Sequence, residues 1–329
     1  MPVRKIFGTI ETREKQPMHK RPRHPVLCLL AVAFMLPSGR AMGAEGASSL
    51  YLPGLAGDIL VALPPEPGLA VAGSTYVQTG SAGRAVLQGV LDLDLDLDLA
   101  LAIVGGTYSF EVPRIGAIYT VGLAVPFGYA DLKAKTQGPG GTSTSSADSF
   151  NISDVALTPI QLSWTSGDFS FRFAETIIAP TGAYNVDKSV NLGRNYWGFD
   201  TTAASTYFNA DIGTEASIAL GILANTQNDA TDYTTGAEFH MDFVASQFLL
   251  ENLAIGIRGY VYRQFVGDSG SGALLGDFKG EAVGLGPGFV WLPGFGEGKL
   301  VVQGKWMTDV HSENRFDSDY ATLTISWTF

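Results

Sequence analysis

Apolar and polar residues alternate with a period of two along most of the chain after residue 69. The most regular stretch is "GVLDLDLDLDLALAIVGG" (89–106), in which Asp92, Asp94, Asp96 and Asp98 each stand between two leucines. On an α-helix, residues two apart point about 200° from each other, so the pattern would leave no apolar stripe. On a β-strand the leucines share one face and the aspartates the other. Other runs keep the same discipline. Odd positions from Ile115 to Tyr129 are all apolar, Phe239, Met241 and Phe243 oppose Glu238, His240 and Asp242, and Leu323, Ile325, Trp327 and Phe329 oppose four hydroxyl residues. Strands are expected near 69–79, 88–101, 114–131, 153–166, 168–179, 196–209, 211–225, 235–247, 251–263, 281–292, 298–308 and 320–329.

Twelve strands is an even number, as a closed antiparallel bacterial barrel requires. Short turns such as 166–168 and 294–298 alternate with longer polar connections at 132–152, 180–195, 226–234, 264–280 and 309–319. That sorting fits an outer-membrane barrel with one short-turn rim and one long-loop rim, whereas a soluble sandwich has no reason to impose it. The fold expected is therefore all-β, a transmembrane antiparallel barrel of about 12 strands over residues 69–329. In a barrel the leucines of 91–99 would meet lipid and the four aspartates a wet lumen, since a charge in hydrocarbon costs several kcal/mol.

The ends add to this picture. Residues 1–44 read as a signal peptide, with a basic cluster, an apolar run from Val26 to Leu36 and small residues at Ala41, Gly43 and Ala44; Met18 is the expected true start. The apolar run is too short for a spanning helix, which needs about 20 residues. Cys28, the single cysteine, falls inside it, so the mature chain has neither disulfide nor thiolate chemistry. Residues 45–68 are Gly/Pro-rich without a period and form an irregular segment that either plugs the lumen or hangs as a tail. The mature part carries 13 basic and 30 acidic residues, a net charge of −17 that disfavours nucleic acid as a partner.

Several phrases resemble a known family in sequence and in order: "SLYLPGLAGD" (49–58), "GGTYSF" (105–110), "SDVALTPIQLSW" (153–164), "APTGAY" (179–184), "NLGRNYWGFD" (191–200), "TDYTTGAEFHMDF" (231–243), "YRQFVGDSGSGA" (262–273) and "GLGPGFVW" (284–291). They are similar to the outer-membrane proteins of the meta-pathway of phenol degradation. The resemblance implies a bacterial outer-membrane channel for small hydrophobic, including aromatic, compounds, with membrane lipid and such solutes as partners. The terminal Phe329 resembles the signal read by the outer-membrane assembly machinery.

Candidate chemistry is sparse. Asp92, Asp94, Asp96 and Asp98 read as a solvated lumen face balanced by Arg172, Arg258 or Lys305, or as the wall of a cation-selective porin, which is the alternative function. Calcium repeats need glycine turns between ligands, and this run has none. Glu238, His240 and Asp242 form an inward cluster that lumen hydration explains without catalysis, and His311 is expected in a loop. No H-E-x-x-H motif or nucleophile elbow occurs, so no catalytic, cofactor or metal site is expected and the chain is not read as an enzyme. Arg194, Tyr196 and Trp197 stand either at a ligand-greeting mouth or in an interfacial aromatic belt.

Overall fold

The computed structural model describes residues 45, 48–86, 91–138, 141–273, 279–294 and 299–329. The expected signal peptide, with Met18 and Cys28, lies outside them. Thirteen strands occur among the described residues: β1 (Gly68–Val86), β2 (Leu91–Val112), β3 (Ala117–Gly138), β4 (Gly141–Ile152), β5 (Val155–Ser166), β6 (Phe169–Ala179), β7 (Gly198–Asn209), β8 (Thr214–Asn225), β9 (Glu238–Leu250), β10 (Leu253–Gln264), β11 (Glu281–Trp291), β12 (Leu300–Glu313) and β13 (Asp317–Thr328). All pairings are antiparallel between neighbours, and β1 pairs with β13 from Ala70↔Thr328 to Ser81↔Asp317, which closes the ring. β4 pairs with the upper half of β3 (residues 127–138) and β5 with its lower half (118–124). The two therefore share one position in the wall, and the barrel has twelve strands around its circumference.

Closure of the ring removes the unpaired edges that an open sheet would expose, and among the described residues the second edge of β4 is left without a strand partner. The alternation explains which way each strand faces. Val71, Val104, Leu123, Phe127, Ile222, Ile257 and Leu323 point outward and are exposed, as are Trp164, Trp197, Trp291 and Trp306. An apolar girdle of this extent, with aromatic residues among its members, belongs against lipid rather than water. The opposite parity fills the interior with Tyr76, Tyr260, Tyr262, Met307 and Tyr320.

The segment 132–152, expected as a loop, is instead a tall hairpin made by the end of β3 and β4, with Gly138 opposite Gly141. β1 and β2 form a second tall hairpin of 19 and 22 residues. A tilted strand needs only about 9–11 residues to cross a bilayer, so both hairpins stand well beyond it.

That extra height reverses the expected orientation of the leucine–aspartate run. Asp94, Asp96 and Asp98 lie on the outer surface, whereas Leu95, Leu97, Leu99 and Leu101 line the interior. The side chain of Asp92 lies outside the described residues. The registers locate the edge of the lipid-facing band within one step. Outward residues Ala321, Val77, Ala100, Tyr129 and Phe150 form one cross-strand row, and the next row up is Asp319, Thr79, Asp98, Asp131 and Asp148. Above that edge the outer face meets water, where the aspartates stay hydrated, and the leucines find apolar company inside. The period of two was sound; the solvent on each face had to be read from the height of the strand.

Candidate functional site

Residues 48–66 form no strand and run inside the barrel as a strap. Its upper end reaches the long-loop rim, where the Glu45 carboxylate accepts hydrogen bonds from Asn228 and Thr231 in the β8–β9 connection. Its lower end emerges at Gly68, the start of β1. Between these points it engages inward residues of five strands. Ser49 donates to Glu238, and Tyr51 donates to Asp242 at 3.0 Å. The amides of Leu60 and Ala62 donate to Glu215 and Thr206 at 3.1 and 3.0 Å. Arg258 Nη1 and Lys305 Nζ each lie 2.8 Å from Asp58 Oδ1.

The Asp58 clasp is the electrostatic centre of this arrangement. Arg258 and Lys305 are buried, and the Lys305 ammonium also donates to the carbonyls of Gly54 and Gly57. Burial alone would raise the Asp58 carboxyl, but the two cations outweigh it and hold it below the usual carboxylate range. Arg258 and Lys305 therefore do not balance the aspartate ladder, as expected from the sequence; they answer a carboxylate in the strap. Arg172 also faces inward, beside Ser163, and its Nε has no hydrogen-bond partner among the described residues.

Glu238, His240 and Asp242 do face inward, but they are packed under the strap rather than lining a hydrated lumen, with at most 1% of each exposed. The Tyr51 ring stacks on His240 with centroids 4.3 Å apart, and His240 Nε2 lies 2.9 Å from Asp200 Oδ1. Gly221 makes room for the imidazole, because a Cβ there would collide with the ring. Burial and the neighbouring Asp242 charge push the Tyr51 hydroxyl well above its ordinary range, so it stays a donor.

The triplet Arg194, Tyr196 and Trp197 divides between the two readings. Arg194 donates to Ser48 of the strap, Tyr196 is buried, and only Trp197 is exposed in the outer belt. His311 falls on β12 rather than in a loop, outside the barrel at the rim, where one ligand atom each from Glu281, His311 and Glu313 lies within 4.8 Å of the others. Glu281 there is also 3.8 Å from Arg263.

Above and beside the strap lies a cavity of about 880 Å³. Leu97, Leu99, Leu101, Leu132 and Leu192 line it, with Leu52 of the strap. It abuts a break in the wall at Ser153–Asp154, where β4 gives way to β5; among the described residues, β4 pairs with no strand besides β3. The connection 180–197 patches this break. Asp154 is buried and accepts from the amides of Gly182 (2.8 Å) and Arg194 (2.7 Å), and Ser153 donates to the Leu192 carbonyl. A Cβ on Gly182 would stand 2.6 Å from the Gly193 backbone, so both must be glycine for the two runs to lie back to back. The phrases around 153, 182 and 193 thus hold a wall together.

Alternation does not single out Asp58, Asp154, Asp200 or Arg315 as members of this interior, although the first three fall within the phrases "SLYLPGLAGD", "SDVALTPIQLSW" and "NLGRNYWGFD". Each stands at a strand end or in an irregular stretch, where periodicity carries no facing information.

The fold is similar to that of the COG4313 outer membrane channel from Pseudomonas putida F1, with a TM-score of 0.63 and 16% identity over 81% of this chain and 97% of that one. A Pseudomonas aeruginosa FadL homologue is more distant, with a TM-score of 0.41 and 8% identity over 80% and 90% of the two chains. No curated protein matches the chain. The model of the family described as putative MetA-pathway of phenol degradation matches residues 71–325, almost the entire wall from β1 to β13, and this channel-like barrel of the bacterial outer membrane belongs to that family.

Proposed function

We propose that the barrel admits small apolar molecules, aromatic ones included, through the leucine-lined cavity, and that the strap is the plug that keeps the lumen closed to ions. The observation that carries this reading is the inward turn of Leu95–Leu101: an apolar chamber has been built above the membrane, at the height where solutes arrive. A chamber of about 880 Å³ falls in the range that encloses a small organic ligand. A sideways exit into the lipid at the break beside Asp154 would require the 180–197 connection to move aside, and would spare an apolar molecule the charged clasp below. The cation-porin alternative loses its named carriers, since Asp94, Asp96 and Asp98 stand on the outer surface.

The test is conductance in a planar bilayer under a potassium chloride gradient, paired with naphthalene uptake into proteoliposomes followed by its fluorescence. We expect little steady ion current, uptake above that of empty liposomes, and loss of that uptake in Leu97→Asp/Leu99→Asp. A steady cation-selective current from the wild type, or unchanged uptake by the double variant, would sink the reading.

A further inference from the structure

Among the residues lining the cavity stands a buried arginine, Arg315, whose guanidinium keeps N–H donors without a hydrogen-bond acceptor among the described residues. Arg315 lies in the short connection between β12 and β13 and lines the same cavity as Leu101 and Leu132. It is 8% exposed, and its guanidinium carbon sits 4.2 Å above the centre of the Tyr262 ring. Its Nε and Nη1 are buried without a hydrogen-bond partner among the described residues. Asp309 and Glu238 are near enough to act on its charge, but among the described residues neither accepts a hydrogen bond from it. Asp309 accepts from Tyr260, from Tyr320 and from the Ser318 amide. Glu238 accepts from Ser49 and Asn225.

A guanidinium cannot shed its proton to relieve this situation, and buried donors are ordinarily paired. Leaving them unmade is costly, and the cost is recovered when a suitable acceptor arrives. The Tyr262 ring covers the guanidinium by a cation–π contact, and the N–H donors left over suit the oxygens of an anionic head group. Leu97, Leu99, Leu101 and Leu132 offer an apolar body a wall to lie against.

We infer that the cavity recognises amphipathic acids: molecules with an aryl or alkyl body lying against the leucines and a carboxylate head paired with Arg315. This rests on the reading of the cavity as the solute chamber and narrows its substrate class.

The experiment compares two probes that differ only in the head group, 3-phenylpropanoate and 3-phenylpropanol, by isothermal titration at pH 7.5 on the refolded full-length protein in lipid nanodiscs. Wild type, Arg315→Met and Arg315→Lys are used, each checked for folding by its mobility on gels before boiling. Wild type should bind the acid at least about tenfold more tightly than the alcohol, the factor one charge-assisted hydrogen bond supplies. Arg315→Met should bring the acid down to the affinity of the alcohol, and Arg315→Lys should restore part of the difference. Equal binding of acid and alcohol by the wild type, tighter binding of the alcohol, or a preference that survives Arg315→Met overturns the inference while leaving the apolar chamber standing. Binding of neither probe overturns both readings.

Discussion

Removing one carboxylate from the strap tests the proposed plug most directly. In Asp58→Asn the shape is kept, but Arg258 and Lys305, both buried, lose the anion that lies 2.8 Å from each. Breaking a buried ion pair by taking one partner costs about 3–5 kcal/mol, because the orphaned charge remains in a poorly solvated place. Here two cations are orphaned and left to repel each other. Asp58 itself is partly exposed, so the lower figure of about 3 kcal/mol is the better estimate. The bonds of Ser49, Tyr51, Leu60 and Ala62 remain, so the barrel stays closed as a wall while its strap is seated less firmly. At about 1.4 kcal/mol per tenfold, the unseated fraction should rise about 100-fold.

Single-channel recording in a planar bilayer reads that fraction as the frequency of ion-conducting openings. A variant lacking residues 48–63 provides the fully unplugged reference. Acid should act through the same group. The Asp58 carboxyl is depressed in the folded state, so its contribution to seating is fully present above its unperturbed value of about 3.9 and is lost as the pH falls through the lower, folded value. Wild-type openings should stay rare from pH 8 to about pH 4 and increase only below it, whereas Asp58→Asn should lack that step. Should Asp58→Asn open no more often than wild type while the deletion conducts freely, the clasp is not what holds the strap, and the reasoning fails.

Two further outcomes follow from the geometry. Replacing Asp94, Asp96 and Asp98 together by Asn should leave ion selectivity and solute uptake unchanged in 1 M potassium chloride, where the screening length of about 3 Å removes distant fields; a change in selectivity would return these carboxylates to the lumen. Asp154→Ala leaves two partly buried amides without acceptors, at about 1 kcal/mol each, so hydrogen exchange should quicken at Gly182 and Arg194 while β7–β10 keep their protection.

Much of the wall was legible because a barrel strand shows its two faces in a period of two. β5, β6, β10 and β11 fall within two residues of the boundaries expected from alternation. β4 was not legible: its sequence, "GTSTSSADSFNI", is polar on both faces over most of its length and carries no apolar parity. Such a strand is specified by its partner. β4 pairs with β3 through twelve successive residues, and the polar side chains suit a wall with water outside it.

The interior was far less legible, and the leucine–aspartate run shows why. Parity states that two faces differ, but which face looks inward depends on where along the barrel axis the strand passes from lipid to water. Within the girdle, apolar residues face out, as Val104, Tyr108 and Phe110 do on β2. A few residues higher on the same strand the outer medium is aqueous, and the same physical preference turns the leucines inward without any break in the strand. The inversion needs no bulge, since the parity of β2 is continuous; the apolar residues change from even positions to odd ones near Ala100–Ala102. "DLALAIV" contains that exchange, two alanines carrying the chain from leucine at odd positions to valine at even ones. A strand that swaps its apolar parity across a pair of small residues is therefore a sign, readable without coordinates, of a wall that leaves the membrane and goes on to enclose an apolar chamber.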